Sequence, residues 1–282
     1  MLSIVLLNYN MKGLLTQCLS GINRIVPTPC EAIIVDNAST DGSRIAISEW
    51  TDRQPFERLV IRPLLRDRND GYAVGNNAGL RLARNPLILI LNPDIAALNG
   101  SIAALLNYAS SHPEAALIGP KLLYPNGAIQ YSCYRFPSVA TPLYRRTFLG
   151  ATSIGFRHVR DYMMMDWDRN RPFRVDWIMG SAMLVRREAM EVVGGFDERF
   201  FMYFEDTDWC RRFWSAGYEV HYVPSSLMVH YHQRHSAENT LRGLASAPTR
   251  THISSAFKYF LKYRHGEATV KHPARELLMT PS

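Results

Sequence analysis

The chain has 282 residues, 47% of them hydrophobic and 20% charged, a balance that permits a real core and excludes disordered or collagen-like polymers. A net charge of +7 and a pI near 9.3 favour partners that carry phosphate or present an anionic surface. The apolar run at 86–98 is broken by Asn92-Pro93-Asp94, and Cys18, Cys30, Cys133 and Cys210 form no CxxC pair, which argues against a spanning helix, a zinc site and a redox motif.

The N-terminal MLSIVLLNYN lacks a basic leader and reads as a buried first strand over 3–7, closed by Asn8-Tyr9-Asn10. Residues 14–25 carry helical spacing, and 31–35 form a second strand that stops at Asp36. Ser39 or Thr40 is the expected N-cap of the helix that follows. A third strand at 59–64, a helix at 73–83 and a fourth strand at 87–91 complete the pattern. Continuous apolar strands alternating with helices predict a parallel sheet covered on both faces, with ligands at the carboxyl ends of the strands. Asn8, Asp36, Asn92 and Asp94 all fall at such ends.

Residues 124–176, rich in proline and aromatics, read as loops and short elements, either a working face or a plain surface insertion. One strand is expected over 175–186 around Gly180, a short helix over 187–193 ending at Gly194-Gly195, a helix over 204–216 and a strand over 219–223. In the tail, 250–266, Ile253, Ala256, Phe257, Phe260 and Leu261 lie near helical spacing beside Lys258, Lys262, Arg264 and His265. That segment is either an interfacial helix or one docked on the domain itself.

Asp36, at the end of a buried strand, can accept from a pyrimidine imide or merely cap its turn, with Asn8 and Asn10 lining the same crevice. Asn92-Pro93-Asp94 offers hard oxygen ligands for Mg²⁺ or Mn²⁺. Glu205, Asp206 and Asp208 gather three acids in the first turn of one helix, where they either serve the dipole or supply a general base. Asp206 and Asp208 lie about 200° apart around a helix and so do different work; Asp208 is within pairing distance of Arg211 and Arg212. His230 and His232 share one face of an extended segment, and with Asp94 they complete a mixed nitrogen and oxygen site suited to Mn²⁺, although a lone histidine is more often structural. Asn8-Tyr9-Asn10-Met11-Lys12-Gly13 stands where a dinucleotide-binding oxidoreductase would need GxGxxG. A basic nucleotide- or nucleic-acid-binding protein is the alternative, though no such motif is present.

As an ordered set, IVLLNYN at 4–10, IIVDNASTDGS at 33–43, NDGYAVGNNAG at 69–79, LILNPD at 89–94, GSAMLVRREAMEVVGGFDERFFMYFEDTDWCRR at 180–212, GYEVHYVP at 217–224 and His230 resemble the family-2 inverting glycosyltransferases of the GT-A fold, especially the bacterial rhamnosyltransferase-like branch. The resemblance implies an α/β fold with a mostly parallel, Rossmann-like central sheet flanked by helices and a C-terminal helical extension. It implies a transferase domain over 1–236, divided into a nucleotide-sugar-binding half (1–98) and an acceptor-side half (99–236), and a tail at 237–282 that can meet a membrane.

The resemblance also implies residue roles: Asp36 as the base contact, Asn8, Asn76, Asn77, Gly79 and Asn92 around the nucleotide, Asp94 and His230 on a divalent cation, and Asp206 as catalytic base. Trp177, Gly180 and Glu205 support the acceptor side. Asn92 replaces the first aspartate of the metal motif, leaving one carboxylate there. Tyr231-His232-Gln233-Arg234-His235 stands where the branch often has a glycine-rich run. The implied reaction moves rhamnose or another hexose from a UDP- or dTDP-sugar to a glycan or lipid-linked acceptor for cell-surface polysaccharide. It would take place in the cytoplasm, at the inner face of the plasma membrane, with Mn²⁺ or Mg²⁺ and without nucleic acid.

Overall fold

The structure, a computed structural model, describes residues 1–231 and 247–264. Its first third alternates as the hydrophobic pattern requires: β1 (Leu2–Asn8), α1 (Lys12–Ile25), β2 (Cys30–Asp36), α2 (Ser43–Arg53), β3 (Leu59–Leu65), α3 (Tyr72–Leu82) and β4 (Leu87–Leu91). The four strands are parallel, in the order β3-β2-β1-β4. Successive side chains fill opposite faces. Ile4, Leu6, Leu89 and Leu91 meet α1 through Leu15, Leu19 and Ile22, whereas Val5, Val35, Ile88 and Ile90 face α3 and the later helices. Burial on both faces is why these strands read as unbroken apolar runs.

The cap expected at Ser39 or Thr40 lies elsewhere. α2 begins at Ser43 after Gly42, whose φ of 86° suits a residue without Cβ. Asp41 serves two helix starts at once, accepting from Lys12 N (2.8 Å) and from Ser43 N (3.0 Å). Ser39 turns inward instead, accepting from Asn8 Nδ2 (3.1 Å) and Asn10 N (2.9 Å).

The second part adds β5 (Ile95–Ala97), α4 (Ser101–Ser111), β6 (Ala115–Leu123), β7 (Ile129–Gln130) and β8 (Cys133–Tyr134). A small helical insertion follows: α5 (Ala140–Arg146), a 3-10 turn (Phe148–Ala151) and α6 (Ser153–Tyr162). Then come β9 (Phe173–Arg174), β10 (Trp177–Ile178), β11 (Ala182–Arg186), α7 (Arg187–Val193), α8 (Glu205–Ser215), β12 (Glu219–His230) and α9 (Ala247–Lys262). The sheet continues β4-β11-β6-β12-β5, with β11 antiparallel to both neighbours and β6 parallel to β12.

Two strands differ from expectation. The stretch around Gly180 is broken: β10 pairs with β8 as a separate ribbon and β11 joins the main sheet. Gly180 spends its carbonyl on Tyr72 OH (2.6 Å) and its amide on Asp206 Oδ2 (3.0 Å), so it has neither group left for a ladder. β12 runs on to His230 rather than ending at Val223, and its register shifts between Val223 and Leu227, across Pro224, which has no N–H to donate. All four cysteines are buried and unpaired, as small hydrophobes.

Candidate active site

The carboxyl ends of β1 and β2 build one wall. Asp36 is fully buried, with Oδ1 accepting from Ser39 N (2.9 Å) and Oδ2 from Asn8 Nδ2 (2.9 Å). That is the turn-capping arrangement, and it fixes which way the Asn8 amide faces. Asn8 Oδ1, Asn37 Oδ1 and Asn76 Oδ1 are each buried without a hydrogen-bond partner among the described residues. A buried orphan acceptor is costly, so three of them mark a place where donors are expected. Asn37 Nδ2 donates to Asn69 Oδ1 (3.2 Å) and Gly71 O (3.1 Å) and lies against Gly75, one residue before Asn76.

The other polar residues of α3 do structural work. Asn77 ties down the segment before α8, donating to Phe196 O (2.9 Å) and accepting from Phe196 N (2.8 Å). Gly79 lets the helix approach the sheet, since a Cβ there would sit 2.5 Å from Val5 Cγ1.

The turn after β4 supplies the second wall. Asn92 N donates to Ser181 O (2.9 Å), which ties the turn to the start of β11. His230 ends β12 opposite Ile95 of β5, and its Nε2 lies 3.4 Å from Asp94 Oδ2. His230 Nδ1 faces Gln130 Oε1 at 2.9 Å; an amide oxygen only accepts, so Nδ1 donates. In the neutral ring, Nε2 then turns its lone pair toward a carboxylate, a pairing that asks for a cation between them. Two cis ligands about 2.1 Å from one octahedral ion would lie about 3 Å apart, close to the observed spacing. Asp94 Oδ1 is also buried without a partner among the described residues. The donor set therefore fits a divalent cation, with the Gln130 contact orienting the histidine. His232, expected to join it, lies outside the described residues.

The third wall is the first turn of α8. Tyr203 and Phe204 take φ of 72° and 68°, a left-handed pair that swings Glu205 and Asp206 toward the strand ends. Half-buried Asp206 accepts from Gly180 N (3.0 Å) through Oδ2 and from Thr207 N (2.7 Å) through Oδ1. Burial raises its carboxyl above the ordinary range in spite of those donors. Glu205 is buried, its Oε2 has no partner among the described residues, and its carboxyl is raised well above the usual range by burial first and then by the Asp206 charge. Asp208, fully buried, faces away to Arg212 Nε (2.9 Å), Lys262 Nζ (2.6 Å) and Tyr263 OH (2.8 Å).

Tyr72 joins the walls. Its phenol is raised well above its ordinary range by burial first and then by the charges of Glu205, Asp206 and Asp94. Asp94 and the acidic turn thus both act on this one ring. Trp177 stacks on Tyr134 (4.5 Å) and donates to Arg135 O (2.8 Å) on the same flank. A separate depression of about 380 Å³ beside Leu106, Arg186 and Glu191 lies at the amino ends of the parallel strands, away from these groups.

The family model for glycosyl transferase family 2 matches residues 3–191, and one described as the N-terminal domain of galactosyltransferase matches 164–236. The chain belongs to glycosyl transferase family 2. The transferase is 33% identical to the N-acetylglucosaminyl-diphospho-decaprenol L-rhamnosyltransferase of Mycobacterium tuberculosis, over 94% of this chain and 85% of that one. It is 42% identical to the rhamnosyltransferase WbbL of Escherichia coli over 90 residues, 32% of each chain.

In fold, the transferase resembles GalNAc-T7, solved with UDP, GalNAc and Mn²⁺ (TM-score 0.64, 14% identity, 93% of this chain and 48% of that one). It also resembles the mannosyltransferase PcManGT of Pyrobaculum calidifontis, solved with GDP-Man and Mn²⁺ (TM-score 0.58, 16% identity, 98% of this chain and 78% of that one). The fold is GT-A, and the protein is a glycosyltransferase rather than a nucleic-acid-binding protein. Its structural neighbours carry Mn²⁺, in keeping with a divalent cation on the transferase. Among the described residues no helix is long and apolar enough to cross a membrane.

Three residues of the candidate site escape a reading of the sequence. Asn37 stands beside the more conspicuous Asp36, Tyr72 looks like any aromatic at a helix start, and Gln130 sits on a two-residue strand. The orphan oxygen of Asn37 and the partners of the other two exist only once the chain is folded. The tail helix α9 also proves to be a brace. Tyr259 and Tyr263 pack on Phe200 beside Phe204, Ser255 Oγ donates to Met202 O (2.8 Å), and the His252 ring lies 5.0 Å from Tyr203. The helix therefore clamps the left-handed turn that presents Asp206.

Proposed function

We propose that the transferase moves a hexose, with rhamnose first among the candidates, from a UDP- or dTDP-sugar to a hydroxyl of a lipid-linked glycan during cell-surface polysaccharide synthesis. The observation that carries this reading is the His230–Asp94 pair (3.4 Å) with Asp94 and Asp206 both acting on Tyr72, and the buried, unpartnered acceptors of Asn8, Asn37 and Asn76 among the described residues support it. The orphan acceptors suit the imide N–H of a pyrimidine, with Asp36 holding Asn8 in place. Asn92 lies beside the diphosphate. Asp94 and His230 would hold a divalent cation, which when bound neutralises charge on the departing diphosphate. The name of the mycobacterial relative gives it an L-rhamnosyl donor group and a diphospho-decaprenol acceptor, which supports the sugar and the acceptor class. A lipid-borne acceptor places the work at the inner face of the plasma membrane.

In the reaction, Asp206 takes the proton of the acceptor hydroxyl as its oxygen bonds to the anomeric carbon. The bond to the diphosphate oxygen breaks with its electron pair leaving on the nucleotide, and the configuration inverts. Gly180 N and Thr207 N hold the carboxylate in position while Trp177 and Glu205 border the acceptor. A thermal-shift panel of UDP-, dTDP- and GDP-sugars with and without Mn²⁺ tests the donor. Stabilisation by a pyrimidine donor that depends on the ion is expected, and a response to GDP-sugars alone would overturn the assignment. Retention of anomeric configuration in the product would overturn the single displacement.

A further inference from the structure

The helical insertion between β8 and β9 exposes apolar side chains that the transferase fold does not use. Val139 is 74% exposed, Leu143 49%, Phe148 83%, Ile154 74% and Phe156 57%. These are not frayed ends. Thr147 accepts from Leu149 N (3.2 Å) and Thr152 from Gly155 N (3.1 Å), so the 3-10 turn and α6 are both capped. The exposure follows from how the segment packs. A Cβ at Gly150 would lie 2.1 Å from Tyr144 O, and one at Gly155 would lie 2.1 Å from Leu149 O. Backbone stacks on backbone, and Phe148, Ile154 and Phe156 have no interior to enter. The same segment, 139–162, carries Arg145, Arg146, Arg157 and Arg160 against one acid, Asp161, although Arg160 is paired with Asp166 just beyond it (2.7 Å) and Arg145 lies over the Tyr162 ring (5.5 Å). Its far end joins the site: Tyr162 is buried and stacks on Tyr134 (5.4 Å), Tyr134 stacks on Trp177 (4.5 Å), and three residues on Gly180 holds Asp206.

We infer that the α5 to α6 insertion is a membrane-docking surface, seating Phe148, Ile154 and Phe156 in an anionic phospholipid bilayer with Arg157 at the headgroups. Exposed apolar side chains on a segment of net positive charge match the boundary between acyl chains and anionic headgroups, whereas a soluble face of this composition would be an aggregation hazard. The occupant is lipid because the charge excess has one sign and the apolar residues are bulky and protruding. The inference rests on the lipid-borne acceptor proposed above: docking here carries the acceptor headgroup past Tyr162 and Trp177 to Asp206. The outward stripe of α9, with Ile253, Phe257 and Leu261 exposed, is the rival membrane face.

Flotation of the full chain with vesicles of phosphatidylcholine and phosphatidylglycerol in equal parts tests this. The triple substitution Phe148→Ser, Ile154→Ser and Phe156→Ser touches no core residue and is expected to weaken binding about a thousandfold, at about tenfold per large apolar side chain withdrawn from lipid. Arg157→Gln should lower binding to these vesicles about fivefold and leave weak binding to phosphatidylcholine alone unchanged. Ile253→Ser with Phe257→Ser and Leu261→Ser should bind vesicles within about twofold of the unaltered chain, well inside the per-residue effect above. If the α9 variant loses binding and the insertion variant keeps it, the surface is on α9 and the inference fails. It also fails if the unaltered chain ignores these vesicles at low salt, or if sedimentation shows the insertion variant breaking a dimer instead. Transfer to a short-chain, water-soluble diphospho acceptor separates the two readings. Turnover there should survive in the insertion variant, and its loss in the unaltered chain would count against the proposed acceptor, not the surface.

Discussion

Asp206→Asn tests the proposed proton acceptor with little change of shape. In the folded protein Oδ2 takes the Gly180 amide at 3.0 Å and Oδ1 takes the Thr207 amide at 2.7 Å. An asparagine oxygen can keep one of these, and its NH₂ then faces the other donor, a local cost of about 1–3 kcal/mol. Removing a desolvated charge works in the opposite direction, because burial already raises the carboxyl. The net change in stability should therefore be small, and the melting temperature should stay within about 5 °C. Turnover is expected to fall about 10²–10⁴-fold, or about 3–5.5 kcal/mol of barrier. Donor and Mn²⁺ affinity should hold, since neither contacts Asp206 in this reading. The assay is release of nucleoside diphosphate in the presence of acceptor, alongside calorimetric titration of the donor. Glu205→Gln is the control: glutamine keeps the shape of the side chain, and Glu205 is not the base in this reading, so turnover should stay within about tenfold of the parent, below the usual worth of a general base. Near-normal turnover in Asp206→Asn, or an equal loss in Glu205→Gln, would refute the assignment of the base.

Asp94→Ala removes the single carboxylate of the metal pair and should abolish Mn²⁺-dependent donor binding with the fold intact by circular dichroism; full turnover resistant to EDTA would contradict it. Asp36→Ala strands Ser39 N and releases Asn8, so a loss of about 2–4 kcal/mol in urea unfolding is expected together with weaker nucleotide binding, and unchanged unfolding curves would show that the capping is idle. The raised Glu205 means that the folded chain holds this proton more tightly than the unfolded one. Its contribution to stability is therefore present below 4.5 and lost as pH rises through the raised value. Glu205→Gln should accordingly match the parent's melting temperature below pH 4.5 and exceed it increasingly at higher pH; a pH-independent offset would argue against the buried acid. Lys262→Ala takes one of three partners from buried Asp208 and loosens the α9 brace, so a loss of about 1–3 kcal/mol and a lower kcat with donor KM nearly unchanged are expected from melts and initial rates.

The sequence by itself determined the layout of the nucleotide half. Residues of β1, β2 and β4 are buried on both faces, which forces unbroken apolar runs, and the polar residues that end those runs had to lie at the carboxyl edge where the open sheet binds ligands. Among the acids of α8, the pairing of Asp208 with Arg212 four residues on was legible from helical spacing, whereas the choice of Asp206 over Glu205 rested on the family resemblance alone. Periodicity could not reveal the break at Gly180, because its backbone bonds go to Tyr72 and Asp206, 108 and 26 residues away. Residue chemistry suggested that His230 meets Asp94, but periodicity ended the strand at Val223 and could not show how: that depends on β12 continuing past the Pro224 irregularity to lie beside β5. The tail and the insertion had two readings each in sequence. Tertiary contacts bind α9 to the acidic first turn of α8 and the segment before it through Lys262, Tyr263 and Ser255. In the insertion, backbone packing at Gly150 and Gly155 leaves the apolar side chains outside. Local pattern records which side of an element is dry; only the assembled fold decides what lies against it, because those partners are distant in the chain and are selected by packing and charge.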